Sequence, residues 1–167
     1  MNTKSKVLAL VLALMMLLAF SLTAMADYEA DAKKFPTSYE GKTVILHTND
    51  VHGALEGYAY IPELRDQLTA LGAEVITVDA GDFSQGNTYV SYFKGASAVT
   101  MMNAAGYDVV TLGNHEFDFG YQQLMDNLKE ASFTTITSNV ILDETGESIL
   151  DPAVLYETST GVKIVSF

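Results

Sequence analysis

The sequence has 167 residues, 21 acidic against 9 basic side chains, a formal net charge of −12 and no cysteine. That balance excludes bulk electrostatic attraction to a nucleic-acid backbone, and the missing cysteines exclude a disulfide framework. A 49% hydrophobic content leaves ample material for one domain core of ordinary size.

Lys4 and Lys6 precede an uncharged apolar run, Val7 to Phe20, and Ala24-Met25-Ala26 has the small-x-small pattern of a signal peptidase site. Residues 1–26 therefore read as an export signal. The run is short for spanning a bilayer, which needs about 20 apolar residues. Cleavage after Ala26 would leave 141 residues and move the formal charge from −12 to −14, because the segment holds two lysines and no acids. Membrane contact is then expected only through this signal or through an anchor beyond Phe167. Residues 27–41, polar and carrying Pro36, read as a leader or linker, and residues 42–167 as the domain.

From Lys42 onward, β-rich runs alternate with helix-like segments. Thr43–Thr48, Glu74–Asp79, Asp108–Leu112, Thr134–Ser138 and Val162–Phe167 are rich in Val, Ile and Thr and predict strands. Ile61–Leu71, Tyr89–Ala105 and Phe119–Ala131 carry apolar residues at helical spacing. In the last, Tyr121, Leu124, Met125 and Leu128 share one stripe, with Asp126 and Lys129 facing water. Pro62 suits a first helical position, and Gly72 and Gly106 suit helix C-termini. The β-α-β-α order predicts an α/β fold whose parallel strands are covered by helices. The last run alternates like a strand in progress, so the chain is expected to be truncated at its C-terminus.

In open α/β sheets, ligands bind beyond the carboxyl ends of the strands. Asp50 and His52 follow the first strand, Asp82 the second, Asn114 and His115 the third, so all converge on one edge. An oxygen and an imidazole nitrogen separated by one residue can reach the same ion, and the mixed donor set suits Zn, Mn or Fe better than Ca. Read alone, Asp50-Val51-His52 is a solvated loop and Asp82 a turn aspartate or helix cap. Their joint placement argues otherwise. Asp82 follows Gly81, whose missing Cβ allows close backbone approach, and its carboxylate could bridge two ions. Asn114 offers an amide oxygen to a hard cation. His115 is placed to donate to a phosphoryl or leaving-group oxygen, with Asp118 able to fix its tautomer. Glu116 reads as a structural acceptor rather than a ligand. His47, inside a strand, reads as a packed residue, and Tyr89, Tyr92 and Phe93 as a buried helix stripe rather than a base-stacking platform.

Val44-Ile45-Leu46-His47-Thr48-Asn49-Asp50-Val51-His52-Gly53, Ala80-Gly81-Asp82, Gly86 and Gly106-Tyr107-Asp108 through Leu112-Gly113-Asn114-His115-Glu116-Phe117-Asp118 resemble the N-terminal half of the catalytic domain of the secreted 5′-nucleotidase and UDP-sugar hydrolase family, within the calcineurin-like metallophosphoesterases. The motifs run in family order from Lys42 to Val140. The resemblance implies a layered α/β/β/α fold when complete and an exported enzyme. It also implies two divalent ions (Zn, Mn, Mg or Co) and a nucleotide or other phosphoester substrate, with no nucleic-acid polymer as partner. By the same resemblance Asp50 and His52 bind one ion, Asp82 bridges, Asn114 binds the other, and His115 with Asp118 forms the catalytic pair. A water activated by the two ions would attack phosphorus.

The departure is downstream. The family carries further ligands on Gly-His and Gly-His-x-His motifs and a second domain with phosphate-binding arginines. This sequence holds only His47, His52 and His115, and one arginine, Arg65. A site complete only with residues beyond Phe167 is expected, the fragment alone being inactive. The alternatives are a non-catalytic surface or binding protein on the same fold, and a cyclic-nucleotide phosphodiesterase, UDP-sugar hydrolase or sulfur-ester hydrolase.

Overall fold

Four parallel strands in the order β1-β2-β3-β4 carry the molecule, seen in a computed structural model that describes residues 36–166. The export signal, most of the expected linker and Phe167 lie outside the described residues. β1 (Thr43–Thr48) pairs with β2 (Glu74–Asp79) over six residues, from Thr43 opposite Glu74 to Thr48 opposite Asp79. β3 (Val109–Val110) follows beside β2, and β4 (Thr134–Thr135) beside β3. The last two are shorter than their apolar runs predict. Their ladder continues as single bonds on both sides, from Asp108 N to Thr77 O (2.8 Å), Thr111 N to Asp79 O (3.0 Å) and Ile136 N to Val110 O (2.9 Å).

Each crossover uses a helix. A 3₁₀ turn, Leu55–Ala59, leads into α1 (Tyr60–Ala70). Pro62 is the third residue of α1 rather than the first, still within the turn whose N–H groups lack intrahelical acceptors. Gly72 lies just past α1 and Gly106 just past the helix that ends at Ala105, with φ of 93° and 75°, the left-handed region that Gly enters without Cβ conflict. The run expected as one helix over Tyr89–Ala105 is two, α2 (Thr88–Tyr92) and α3 (Ala96–Ala105). Lys94 and Gly95 break it, with φ of 50° and 87°, and Gly95 packs against Ser84 and Asn127, where a side chain would crowd both.

That break also overturns the buried aromatic stripe. In the short α2 only Val90 turns inward, while Tyr89, Tyr92 and Phe93 are exposed and stack edge to face on one another. His47 is likewise exposed, because β1 is an edge strand of the parallel sheet and one of its faces, with Ile45, is open. In α4 (Tyr121–Lys129), Leu124 is buried as expected, but Tyr121 is exposed and Asn127 takes an inward position, its amide donating to Lys94 O at 2.7 Å. Asp126 and Lys129 face water as a 2.7 Å ion pair.

The core gathers Phe83, Val90, Ala98, Val99, Met102, Ala105, Tyr107, Val110 and Phe133 around Tyr58. Arg65 is used structurally. Its Nη1 donates to Thr77 Oγ1 (2.6 Å), Gly106 O (2.5 Å) and Asp108 Oδ2 (2.9 Å), tying α1 to β2 and to the turn before β3. The run expected as a final strand is one, β6 (Lys163–Ser166), and it pairs antiparallel with β5 (Val154–Glu157) in a separate hairpin. Its turn closes through Thr158 N to Val162 O at 2.8 Å and Gly161 N to Thr158 O at 2.9 Å. So short a turn can join only antiparallel neighbours, since a parallel pair needs a crossover of a dozen or more residues. Among the described residues no helix is long and apolar enough to cross a membrane.

Candidate metal centre

The three loops beyond β1, β2 and β3 meet at the carboxyl edge of the sheet. His52, Asp82 and His115 each bring a potential ligand atom to within 4.8 Å of the others, and the two imidazoles lie 5.0 Å apart between centroids, edge to face. Asp50 Oδ1 sits 3.6 Å from His52 Nε2. Asn114 directly precedes a short 3₁₀ turn, His115–Phe117, and is exposed beside the cluster. Asp118 Oδ2 lies 2.8 Å from His115 Nδ1, which leaves Nε2 as the ring nitrogen free to face a ligand.

Backbone conformation singles out the same residues. Four non-glycine residues among those described have positive φ, and three are Asp50 (51°), His52 (46°) and Asp82 (62°). The left-handed region costs an L-residue about 1–2 kcal/mol, and such strain persists only where the surroundings over-determine it. Here the loops hold one another. Asp50 N donates to Gly81 O and His52 N to Asp82 O, each at 3.0 Å. A Cβ at Gly86 would overlap the carbonyl of His52, and one at Gly81 would overlap the backbone of Leu112 and Gly113. Those glycines are needed because backbone of a neighbouring loop occupies the place a Cβ would take.

The electrostatics suit a cation. The Asn49 amide, donating to Asp50 Oδ2 at 2.8 Å, holds the Asp50 carboxyl below its usual range, and His52 adds to the effect. The hydrogen bond to Asp118 raises His115 above the ordinary imidazole range, with the carboxylates of Asp118, Asp82 and Glu116 acting the same way. Arg65, the single arginine, is engaged elsewhere. Two imidazoles and two carboxylates thus crowd together with their negative charge uncompensated by arginine. Imidazole with carboxylate is the donor set of borderline and hard divalent ions, so the residues present fit such an ion.

Two buried carboxylates lie directly behind the site. Asp79, 3% exposed, accepts from Gly81 N (2.8 Å) and from the Thr48 hydroxyl, which in turn meets Tyr107 OH at 2.7 Å. Burial pushes Asp79 up to about 6. Glu116, 2% exposed, accepts from the backbone of both ligand-bearing loops. Sequence reasoning singled out Glu116 only as a structural acceptor and missed Asp79. Its one signal was an acidic residue directly after the uncharged, β-rich run 75–78.

Fold and donor set together define an α/β domain built to hold divalent metal at the carboxyl edge of a parallel sheet. The chain belongs to the calcineurin-like phosphoesterase family, whose model matches residues 43–157. It is 36% identical over 124 residues to the 5′-nucleotidase of Bos taurus, covering 64% of this chain and 22% of that protein. Among solved structures it resembles the 5′-nucleotidase precursor of Thermus thermophilus, with a TM-score of 0.64 and 29% identity over 72% of this chain and 27% of that one. The NAD nucleotidase of Haemophilus influenzae is similar at a TM-score of 0.61 and 28% identity, covering 72% of this chain and 25% of that one. The chain thus spans only about a quarter of the length of these relatives.

Proposed function

We propose that this chain is the N-terminal part of an exported, metal-dependent phosphoesterase, a 5′-nucleotidase acting on nucleoside monophosphates or related nucleotides with two divalent ions. The observation that carries the proposal is the convergence of His52, Asp82 and His115, with Asp50 beside them, on loops held in left-handed conformations. The family match supports the reaction class, and the similarity to two nucleotidases supports the substrate class. Export rests on the pattern of residues 1–26.

In this reading Asp50 and His52 would hold one ion and Asn114 a second, with Asp82 a ligand they would share. Two bound ions would supply positive charge to the attacking and leaving oxygens of an in-line phosphoryl displacement. The protein's own part is orientation and proton supply. Asp118 fixes His115 with Nδ1 toward itself and favours the imidazolium, so that Nε2 can donate to a phosphoryl or leaving-group oxygen. The strained loops keep these side chains in register before substrate arrives, which is where electrostatic catalysis gains its advantage over water.

The test is AMP hydrolysis by the full-length protein after chelation and after return of Mn²⁺ or Zn²⁺. Activity should vanish and return with metal, and Asp82→Asn should lower turnover by at least about 100-fold, because removing one charged contact from a charge-stabilising site has effects of that order. Near-normal activity of Asp82→Asn at normal metal content refutes the bridging role. Metal binding without hydrolysis of any phosphoester would point instead to a surface or binding protein on this fold.

A further inference from the structure

The loops bearing Asp82 and His115 exchange carboxylates. Glu116 Oε2 accepts from Asp82 N (2.8 Å) and Gly113 N (2.7 Å), and its Oε1 from Phe83 N and Ser84 N (both 2.9 Å). In return, Asp82 Oδ1 accepts from His115 N at 2.9 Å. With Gly81 N bonded to Asp79, the consecutive N–H groups from 81 to 84 all point at two buried carboxylates. Successive N–H groups around a positive-φ turn form an anion-binding concavity. Here a side chain of the same protein fills it.

We infer that Glu116 is a positioning residue which sets the separation and orientation of Asp82 and His115 by accepting four backbone N–H groups from the two loops that carry them. Three features support that role over simple packing. All four of its acceptor contacts go to the two site loops. An ionised carboxylate has only acceptors, so each oxygen can take two donors without conflict. And Gly113 lies so close to Asp82 Oδ1 that any Cβ there would overlap it, which shows how tightly the exchange draws the loops together.

A glutamine of the same shape cannot substitute. Whichever way its amide turns, an NH₂ faces two N–H donors, either those of Asp82 and Gly113 or those of Phe83 and Ser84. The Asp82 conformation, at φ 62°, then loses part of what holds it. The inference rests on the metal-site reading above, and its test separates the two.

Amide hydrogen exchange on the metal-free full-length protein should show faster exchange at residues 82–84 and 113 in Glu116→Gln, with the rest of the domain as in the wild type. Titration with Co²⁺, followed by its visible absorption, should show binding weakened by about 10-fold or more, as is usual when a group supporting a ligand is lost, with an altered band shape. Asn103→Ala, which removes the hydrogen bonds from the end of α3 to Glu130 O and Ser132 N and touches neither site loop, serves as the control and should leave the Co²⁺ spectrum unchanged. Unchanged exchange at those amides, or wild-type Co²⁺ affinity and band shape in Glu116→Gln, overturns the inference, as does an equal loss in Asn103→Ala. If Glu116→Gln does not fold, Glu116→Asp decides. One methylene shorter, it should bind Co²⁺ more weakly than wild type, and equal binding overturns the role. Failure of the wild type itself to bind Co²⁺ would refute the metal reading, and the exchange result would then judge the positioning role by itself.

Discussion

Asp79→Asn should make the protein's stability less dependent on pH, with the sign set by burial. Asp79 is 3% exposed, and burial raises it from 3.8 to about 6, with Glu116 and Asp50 adding to the rise against the opposing hydrogen bonds from Thr48 and Gly81. A carboxyl whose folded value exceeds its unfolded value binds its proton more tightly in the fold. Its contribution is fully present below about pH 3.8 and is lost as pH rises through about 6. The difference corresponds to about 3 kcal/mol, at 1.36 kcal/mol for each pKa unit. Asparagine keeps the network intact, because its oxygen can accept from Gly81 N and its amide can donate to Thr48 Oγ1, freeing that hydroxyl to donate to Tyr107. Urea unfolding of both proteins at half-unit steps from about pH 4 to 7, with chelator present, measures the effect. Relative to the variant, the wild type should lose up to about 3 kcal/mol across that range. Parallel stability curves for the two proteins would refute the claim that Asp79 is buried at a cost.

Three further outcomes are expected. Gly86→Ala should destabilise by about 3 kcal/mol or more, since its φ of 127° is nearly closed to other residues and a Cβ would overlap the His52 carbonyl; a change in the urea midpoint equivalent to under about 1 kcal/mol would contradict the close approach. Tyr58→Phe should be neutral or stabilising by up to about 1 kcal/mol, because the Tyr58 hydroxyl is buried without a hydrogen-bond partner and burial holds its ionisation far above the usual phenol range; clear destabilisation in a thermal melt would reveal a partner. His115→Asn should lower turnover far more than ion affinity if the imidazole acts on substrate. Equal losses of both would make His115 a metal ligand, as its place in the donor cluster also allows.

The alternation of strands and helices along the chain, and the meeting of three loops at one sheet edge, were legible in the sequence because both depend on local pattern. Runs of Val, Ile and Thr mark β1 and β2, and the turn residues that follow them must lie at the carboxyl edge once the strands are parallel. His52, Asp82 and His115 could therefore be placed together from the sequence. What periodicity could not supply was the environment of each side chain. Tyr89, Tyr92 and Phe93 have the spacing of a buried stripe, yet the turn at Lys94 and Gly95 leaves them in solvent. β6 alternates like any strand, and only the length of its turn decides that it pairs antiparallel with β5.

Composition and spacing alone thus determined the class of fold, the acidic surface and the residue types available for chemistry, since these follow from the chain's own chemistry and nearest neighbours. Tertiary structure alone decided which carboxylates are buried, which backbones are forced left-handed, and that Asp82 bonds to Glu116 and His115, 34 and 33 residues away in sequence. Burial and strain are properties of what approaches a residue from elsewhere in the chain, and that approach exists only after the sheet has brought the loops to one edge.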